Sequence, residues 1–293
     1  MPGNYSFLSK YTYYVPGVAE MFILLAFLLL GSIIGNVITS VFTLALGQEA
    51  ALEYGMLIAY PVMFIPAMMY ASAKSGRNSF NKEGIKLDSS NFSPVGGALC
   101  ATVVAVATLA LGFCTDALTG LLPQMPEFLE DMLKSMTSGT LWINLLSVSV
   151  FAPLFEEWLC RGMVLRGLLG NKMKPVWAII ISAAFFAFIH LNPWQALPAF
   201  LLGLLFGYVY YRTGSLKLTM LMHCVNNTFA VILSNIPALE EMESWQDVLS
   251  TPLYWLIFAA CLMLVVLSLM LFKKIPLKRE SGNSDSVPCL FSE

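Results

Sequence analysis

Charge is scarce in this chain. Asp, Glu, Lys and Arg make up 12% of its 293 residues, against 58% hydrophobic residues, and the mean hydropathy is +0.74. A soluble domain carries about twice that share of charge, so no stretch reads as a soluble domain. The formal net charge is -2 and there is no long basic or acidic run, which excludes a nucleic-acid-binding surface. Histidine is scarcer still. His190 and His223 are the only two, and neither stands in the His-Glu-x-x-His spacing of zinc peptidases. The six cysteines (Cys100, Cys114, Cys160, Cys224, Cys261, Cys289) are scattered, and no Cys-x-x-Cys pair occurs. That excludes a disulfide framework and a zinc knuckle. No basic segment precedes the first apolar run, which is too long for the core of a signal peptide and follows a Tyr-rich stretch (Tyr5, Tyr11, Tyr13, Tyr14). It is expected to be a retained helix. Cys289 is fifth from the end, not fourth, so the chain does not itself carry a prenylation box.

What the chain has in abundance is long apolar runs. A bilayer-spanning helix needs roughly 20 mostly apolar residues. Eight runs qualify, at about 21–46, 54–73, 94–115, 140–168, 175–191, 195–211, 216–236 and 252–272. The fifth and sixth are short and separated only by Asn192-Pro193-Trp194, so they also fit one re-entrant hairpin. The fold class expected is an all-α integral membrane protein, a bundle of about eight transmembrane helices. The division expected is residues 1–139 for the first three spans and an outer segment, 140–236 for the next four runs, and 237–293 for an outer loop, the last span and a polar tail.

With eight spans the basic residues fall almost entirely on one side. Lys10, Lys74, Arg77, Lys82, Lys86, Arg161, Arg166, Lys172, Lys174, Arg212, Lys217, Lys273, Lys274, Lys278 and Arg279 sort together, and the other side keeps only Lys134 among ten acids. The positive-inside rule then puts both termini in the cytosol. A bacterial plasma membrane is the expected location. Two outer segments, 126–136 and 237–249, mix acids with Leu, Met, Phe and Trp at helical spacing and suit the membrane surface. Gly31-x-x-x-Gly35 and Gly203-x-x-x-Gly207 suit close helix packing. Trp177 and Trp194 read as interface anchors, and the tail from Ser281 as polar chain without a fold.

Ionisable groups inside a membrane are costly and point to function. They gather in three places here: Glu156, Glu157 and Arg161 in the fourth run, Phe186 and His190 in the fifth, and His223, Asn226 and Asn227 in the seventh. Glu157 and Arg161 are four apart, so they share a helix face and form a structural ion pair. Glu156 lies about 100° around the helix, and Leu159 and Cys160 at its own i+3 and i+4 offer no cation. It is the carboxylate left for chemistry. His223 and Asn227, again four apart, present two hydrogen-bond donors on one face, the requirement of an oxyanion hole. Phe186 can wall one side of the His190 ring. Asn192 and Asn226 read as helix caps or inter-helix hydrogen bonds.

Glu-Glu-x-x-x-Arg, Phe-x-x-x-His and His-x-x-x-Asn, in that order and each in an apolar run, resemble the motif set of the CPBP family, the CAAX-protease and bacteriocin-processing intramembrane peptidases that include the type II CAAX prenyl endopeptidases. The resemblance covers about residues 145–235. It implies an all-α membrane bundle with a conical cavity opening to the cytosolic side. It also implies that Glu156 and His190 activate a water that attacks a peptide carbonyl. His223 and Asn227 would stabilise the oxyanion, and Glu157 and Arg161 would be the structural pair. No cofactor is expected. A zinc ion held by the two histidines and a glutamate is the chemical alternative. The expected partners are the lipid bilayer and a membrane-bound or lipidated peptide substrate. A non-catalytic protein binding such peptides, as an immunity factor or scaffold, is the alternative from another class. A transporter ranks below both.

Overall fold

The computed structural model describes residues 7–137, 140–236, 242 and 244–277. Among these it is all-helical, with no strand. The helices are α1 (Val18–Leu46), α2 (Met56–Asn78), α3 (Gly97–Thr119), α4 (Glu127–Thr137), α5 (Leu141–Gly170), α6 (Pro175–Phe188), α7 (Pro193–Thr213), α8 (Leu216–Ser234) and α9 (Thr251–Lys273). Seven of them are long and apolar enough to cross a membrane, and the chain is an integral membrane protein. α4 is the short amphipathic helix expected at 126–136. The fifth apolar run is the exception among the spans. α6 has 14 residues, about 21 Å at 1.5 Å per residue, against a hydrocarbon core of about 30 Å. Among the described residues the helices are thus seven long ones, the short α6 and the amphipathic α4. Residues 237–241 of the second outer segment, Lys278, Arg279 and the tail with Cys289 lie outside the described residues.

Local chemistry sets the tight turns. α7 starts on Asn192, whose side chain accepts from the backbone N–H of Gln195 at 2.8 Å, with Pro193 at the first helical position. It ends on Gly214 at φ +64°, a left-handed cap that glycine adopts without steric cost. Ser215 then caps α8 by accepting from Leu218 N–H. One helix stops and the next begins within two residues.

The bundle has two distinct ends. At the basic end the turns are laced together: Ile85 N–H donates to Thr12 O, Ser89 N–H to Gly214 O and Asn91 N–H to Thr213 O, and Arg212 donates to the carbonyls of Lys273 and Ile275. Arg166, expected among the turn cations, is wholly buried. It donates to the carbonyls of Gly162, Ile85, Thr12 and Tyr14. A guanidinium carries five N–H donors, so one side chain closes this end. At the acidic end Asp116 accepts from the Ser244 and Tyr254 hydroxyls, each at 2.9 Å, and from Trp245 N–H, tying α3 to α9.

α1 and α2 cross where Gly31 faces backbone. A Cβ on Gly31 would lie 1.9 Å from Met63 O, and one on Gly35 would lie 3.1 Å from Ala59 O. Gly203 and Gly207 approach Ala183 and Ile179 of α6 in the same manner. Since the obstacle at Gly31 is backbone, the helices must part to admit a methyl. Gly31→Ala is expected to lower the thermal unfolding midpoint in detergent, with an overpacking cost of about 1–3 kcal/mol. Gly76→Ala, with nothing within 4 Å of the added carbon, serves as the control and should leave the midpoint unchanged or higher.

Candidate active site

α5 carries the acids and is not uniformly α-helical. Two π-helical stretches, Leu145–Phe151 and Trp158–Leu165, flank one regular segment, Ala152–Glu157. Wider turns of this kind shift side chains around the helix and recur at functional sites. Here they place Glu156 and Glu157 at the end of the regular segment, both buried, the second completely.

Glu157 is the junction. Its Oε1 accepts from Arg161 Nη1 at 2.6 Å and lies 3.1 Å from His223 Nδ1. Arg161 is also fully buried. Its Nη2 donates to Gly203 O at 3.1 Å, and its guanidinium stacks over the rings of Phe186 and Phe206. One carboxylate thus ties α5 to α8, and through Arg161 to α6 and α7. An ionised carboxylate only accepts, so His223 Nδ1 carries the proton of that bond. His223 Nε2 then faces Glu156, 3.9 Å from its Oε2.

Glu156 has a different neighbourhood. Its Oε1 accepts from the Tyr60 hydroxyl of α2. Its Oε2 is buried and has no hydrogen-bond partner. No ion pair within 4.0 Å joins Glu156 to His190. That histidine sits in the turn after α6, and its Nδ1 lies 2.8 Å from Phe186 O. A carbonyl only accepts, so Nδ1 is the protonated nitrogen and Nε2 is left as an acceptor. Phe186 stands edge-on to both imidazoles, 5.1 Å from His190 and 5.4 Å from His223 between ring centres. Asn227 gives one amide hydrogen to Val148 O at 2.8 Å, a carbonyl of the first π stretch, and its Oδ1 accepts from Asn226. One N–H of Asn227 remains.

These groups line one cavity of about 690 Å³. Glu156, Phe186, His190, His223, Asn226 and Asn227 all border it, with Tyr60 and Ser147, while Leu25, Leu28, Leu29, Met63 and Phe64 of α1 and α2 give it an apolar wall. Glu157 and Arg161 stand behind the wall, not in it. Irregular backbone at membrane depth is tolerated where it lines a cavity, which accounts for the unwound turn at His190. The cavity reaches Met132, Leu133, Trp194 and Ser234 at the acidic end, and no residue of the basic-end turns borders it. Trp194, expected as an interface anchor, stands at the cavity edge and donates its indole N–H to Pro123 O.

Tyr60 and Ser147 escaped the sequence reading. A tyrosine in an apolar run is usually a packing residue, and only the fold reveals that its hydroxyl meets a glutamate 96 positions away. Among the described residues no three His, Cys, Asp or Glu side chains converge in a metal-ligand arrangement. The two glutamates should behave differently on substitution. Removing one partner of a buried ion pair typically costs about 3–5 kcal/mol. Glu157→Gln should therefore sharply reduce the yield of monodisperse protein, whereas Glu156→Gln, facing the cavity, should fold at wild-type yield in the same purification.

Residues 138–229 match the family described as type II CAAX prenyl endopeptidase Rce1-like. Neither the curated proteins nor the solved structures contain a match to the chain. The matched stretch runs from the start of α5 into α8 and includes every charged or imidazole side chain of the cavity and its supporting pair. It leaves out α1 and α2, and with them Tyr60 and the apolar wall. The polar centre of this all-helical membrane bundle is thus formed by a stretch similar to the Rce1-like CAAX-type intramembrane proteases.

Proposed function

We propose that the chain is a glutamate-type intramembrane endopeptidase that cleaves a membrane-bound or lipidated peptide without a metal ion. The observation that carries this reading is Glu156 Oε2: a carboxylate oxygen buried without a partner, on the wall of a cavity that also holds both histidines of the chain. Leaving a buried charged acceptor unsatisfied is costly, and a water molecule delivered to it is the reactant that hydrolysis needs.

Glu156 acts as the general base. It takes a proton from the water, and the hydroxide oxygen bonds to the carbonyl carbon of the scissile peptide. His190 Nε2 accepts the second water hydrogen and orients the lone pair. The carbonyl oxygen, now negative, accepts from the remaining Asn227 N–H and from His223 Nε2–H. His223 Nδ1–H is given to Glu157, so the hydrogen donated to the oxyanion is the one on Nε2. When the intermediate collapses, the C–N bond breaks and the departing nitrogen takes the proton from Glu156, which restores the carboxylate. Tyr60 fixes the Glu156 carboxyl plane, and the buried Phe186 keeps water from the inner faces of both rings. Donors aimed at the charge that develops in the transition state are the largest source of rate in such sites. The apolar wall from α1 and α2 holds the hydrophobic part of the substrate. The expected division into 1–139, 140–236 and 237–293 corresponds in this reading to wall, chemistry and closing helix.

Comparing membrane peptides from cells that carry wild type or Glu156→Gln identifies the substrate as a species that accumulates uncleaved in the variant. With that peptide and purified enzyme, Glu156→Gln should show no cleavage. Asn227→Ala should lower kcat by about 10²–10³ with KM nearly unchanged, as for loss of one oxyanion donor. Tyr60→Phe, which keeps the ring packed on Phe64, should lower kcat roughly 10- to 100-fold, the equivalent of one hydrogen bond to a charged group. Dialysis against a strong chelator should leave wild-type activity intact. Full activity in Glu156→Gln, or activity lost with one bound zinc per chain, would overturn the assignment.

A further inference from the structure

α1 lies at the edge of the bundle. Among the described residues it packs chiefly against α2 and the turn that leads into it. Its buried residues, Met21, Leu24, Leu28, Gly31 and Gly35, form one seam at alternating spacings of three and four. A second seam with the same alternation, Ala26, Leu29, Ile33, Asn36, Ser40 and Thr43, is exposed at every position. Its apolar members are at home in lipid, but Asn36 carries two amide N–H donors and a carbonyl acceptor. The neighbouring hydroxyls are satisfied within the helix, where Ser32, Thr39, Ser40 and Thr43 each donate to a carbonyl one turn earlier. The Asn36 amide makes no hydrogen bond to any described residue. It also lies at membrane depth. Gly35 packs on Ala59 of α2, and Ala59 precedes Lys74 at the basic end by 15 residues, about 22 Å of helix. The hydrocarbon core is about 30 Å thick, so Asn36 stands in it without water, and a polar group there needs a partner.

We propose that this face of α1 is a dimer interface, in which Asn36 meets its counterpart in a second copy of the chain. Two copies in one bilayer share an orientation, so a two-fold axis along the membrane normal sets their α1 helices parallel, with each residue opposite itself. A second copy therefore presents the same amide at the same depth. An amide is its own complement: the N–H of each donates to the carbonyl of the other. Alternation of three and four is the spacing that keeps two parallel helices in contact, and a single polar Asn within such a seam fixes register and oligomer state. In lipid, apolar area alone does not drive association, whereas small residues that let backbones approach and amides that bond across helices do. Ala26, Ser40 and Thr43 supply the first and Asn36 the second. The interface is independent of the peptidase reading, because α1 lies outside the stretch that carries the acids and histidines.

Oxidative cross-linking of single cysteines in native membranes tests this. In a background with Cys224→Ala, Cys261→Ala and Cys289→Ser, the buried Cys100, Cys114 and Cys160 stay in place. Ile33→Cys and Ser40→Cys lie on the seam. Ile34→Cys and Val41→Cys are exposed as well but point about 100° further around the helix. The two seam variants should give a covalent species of twice the chain mass, and the other two and the background should not. A second measurement follows association of the purified full chain in lipid bilayers by single-molecule photobleaching. Asn36→Leu should weaken dimerisation about 5- to 30-fold, the equivalent of one polar contact between helices, at an unchanged unfolding midpoint. Asn36→Gln, which keeps the amide, should retain most of the association. A wild-type chain that stays monomeric in bilayers would overturn the proposal. So would cross-linking that is equal at all four positions, or Asn36→Leu dimerising as well as wild type. Seam cysteines that cross-link only to a different protein would overturn it too, since the occupant would then not be a second copy.

Discussion

One carboxylate oxygen, Oε1 of Glu157, holds the polar centre of this protein together. It accepts from Arg161 at 2.6 Å and meets His223 Nδ1 at 3.1 Å, with both Glu157 and Arg161 fully buried. Inside a membrane a lone charge has no water to turn to, so each group depends on the others. Arg161 extends the junction by donating to Gly203 O and lying over Phe186 and Phe206. A fixed charge at this point specifies how α5, α6, α7 and α8 sit against one another, which apolar contacts in lipid do poorly because the lipid competes for them.

The same junction determines the chemistry facing the cavity. By accepting from Nδ1, Glu157 turns the His223 ring so that Nε2 points at Glu156. The role of Glu157 is therefore wider than pairing with Arg161, since it orients a second histidine as well. Around this centre, the flanking π stretches of α5 expose backbone carbonyls, and Asn227 binds one of them at Val148. Buried polar atoms without a partner lie on both sides of the wall: Glu156 Oε2 and the Ser147 hydroxyl in front of it, Glu157 Oε2 and Arg161 Nε behind it. Groups left unsatisfied in a cavity are where a bound molecule supplies what the protein does not.

Much of this was legible in the sequence, because the bilayer makes the code simple. Seven of the eight apolar runs are long helices within a few residues of their expected limits, and the Glu157–Arg161 pair follows from a four-residue spacing in a medium that tolerates no unpaired charge. Asn192 as a cap was equally readable. Three features were not. The shortness of α6 is set by where Pro193 and its cap restart the helix, and hydropathy does not register that. Tyr60 belongs to a helix far from the motifs in sequence. The approach of His223 Nε2 to Glu156 Oε2, at 3.9 Å, depends on how the π turns rotate α5, which no residue pattern announces.

The account stands or falls on the coupling between Glu157 and His223. A double-mutant cycle on unfolding in detergent, built from Glu157→Gln, His223→Ala and the double variant in an Arg161→Gln background that removes the ion pair, measures it directly. Residues sharing a hydrogen-bond network show interaction energies of about 0.5–3 kcal/mol. The account predicts a coupling in that range, with the double variant less destabilised than the sum of the singles. Strict additivity would contradict it, because His223 would then be held in place by packing and Glu157 would have no part in orienting the groups that face the cavity.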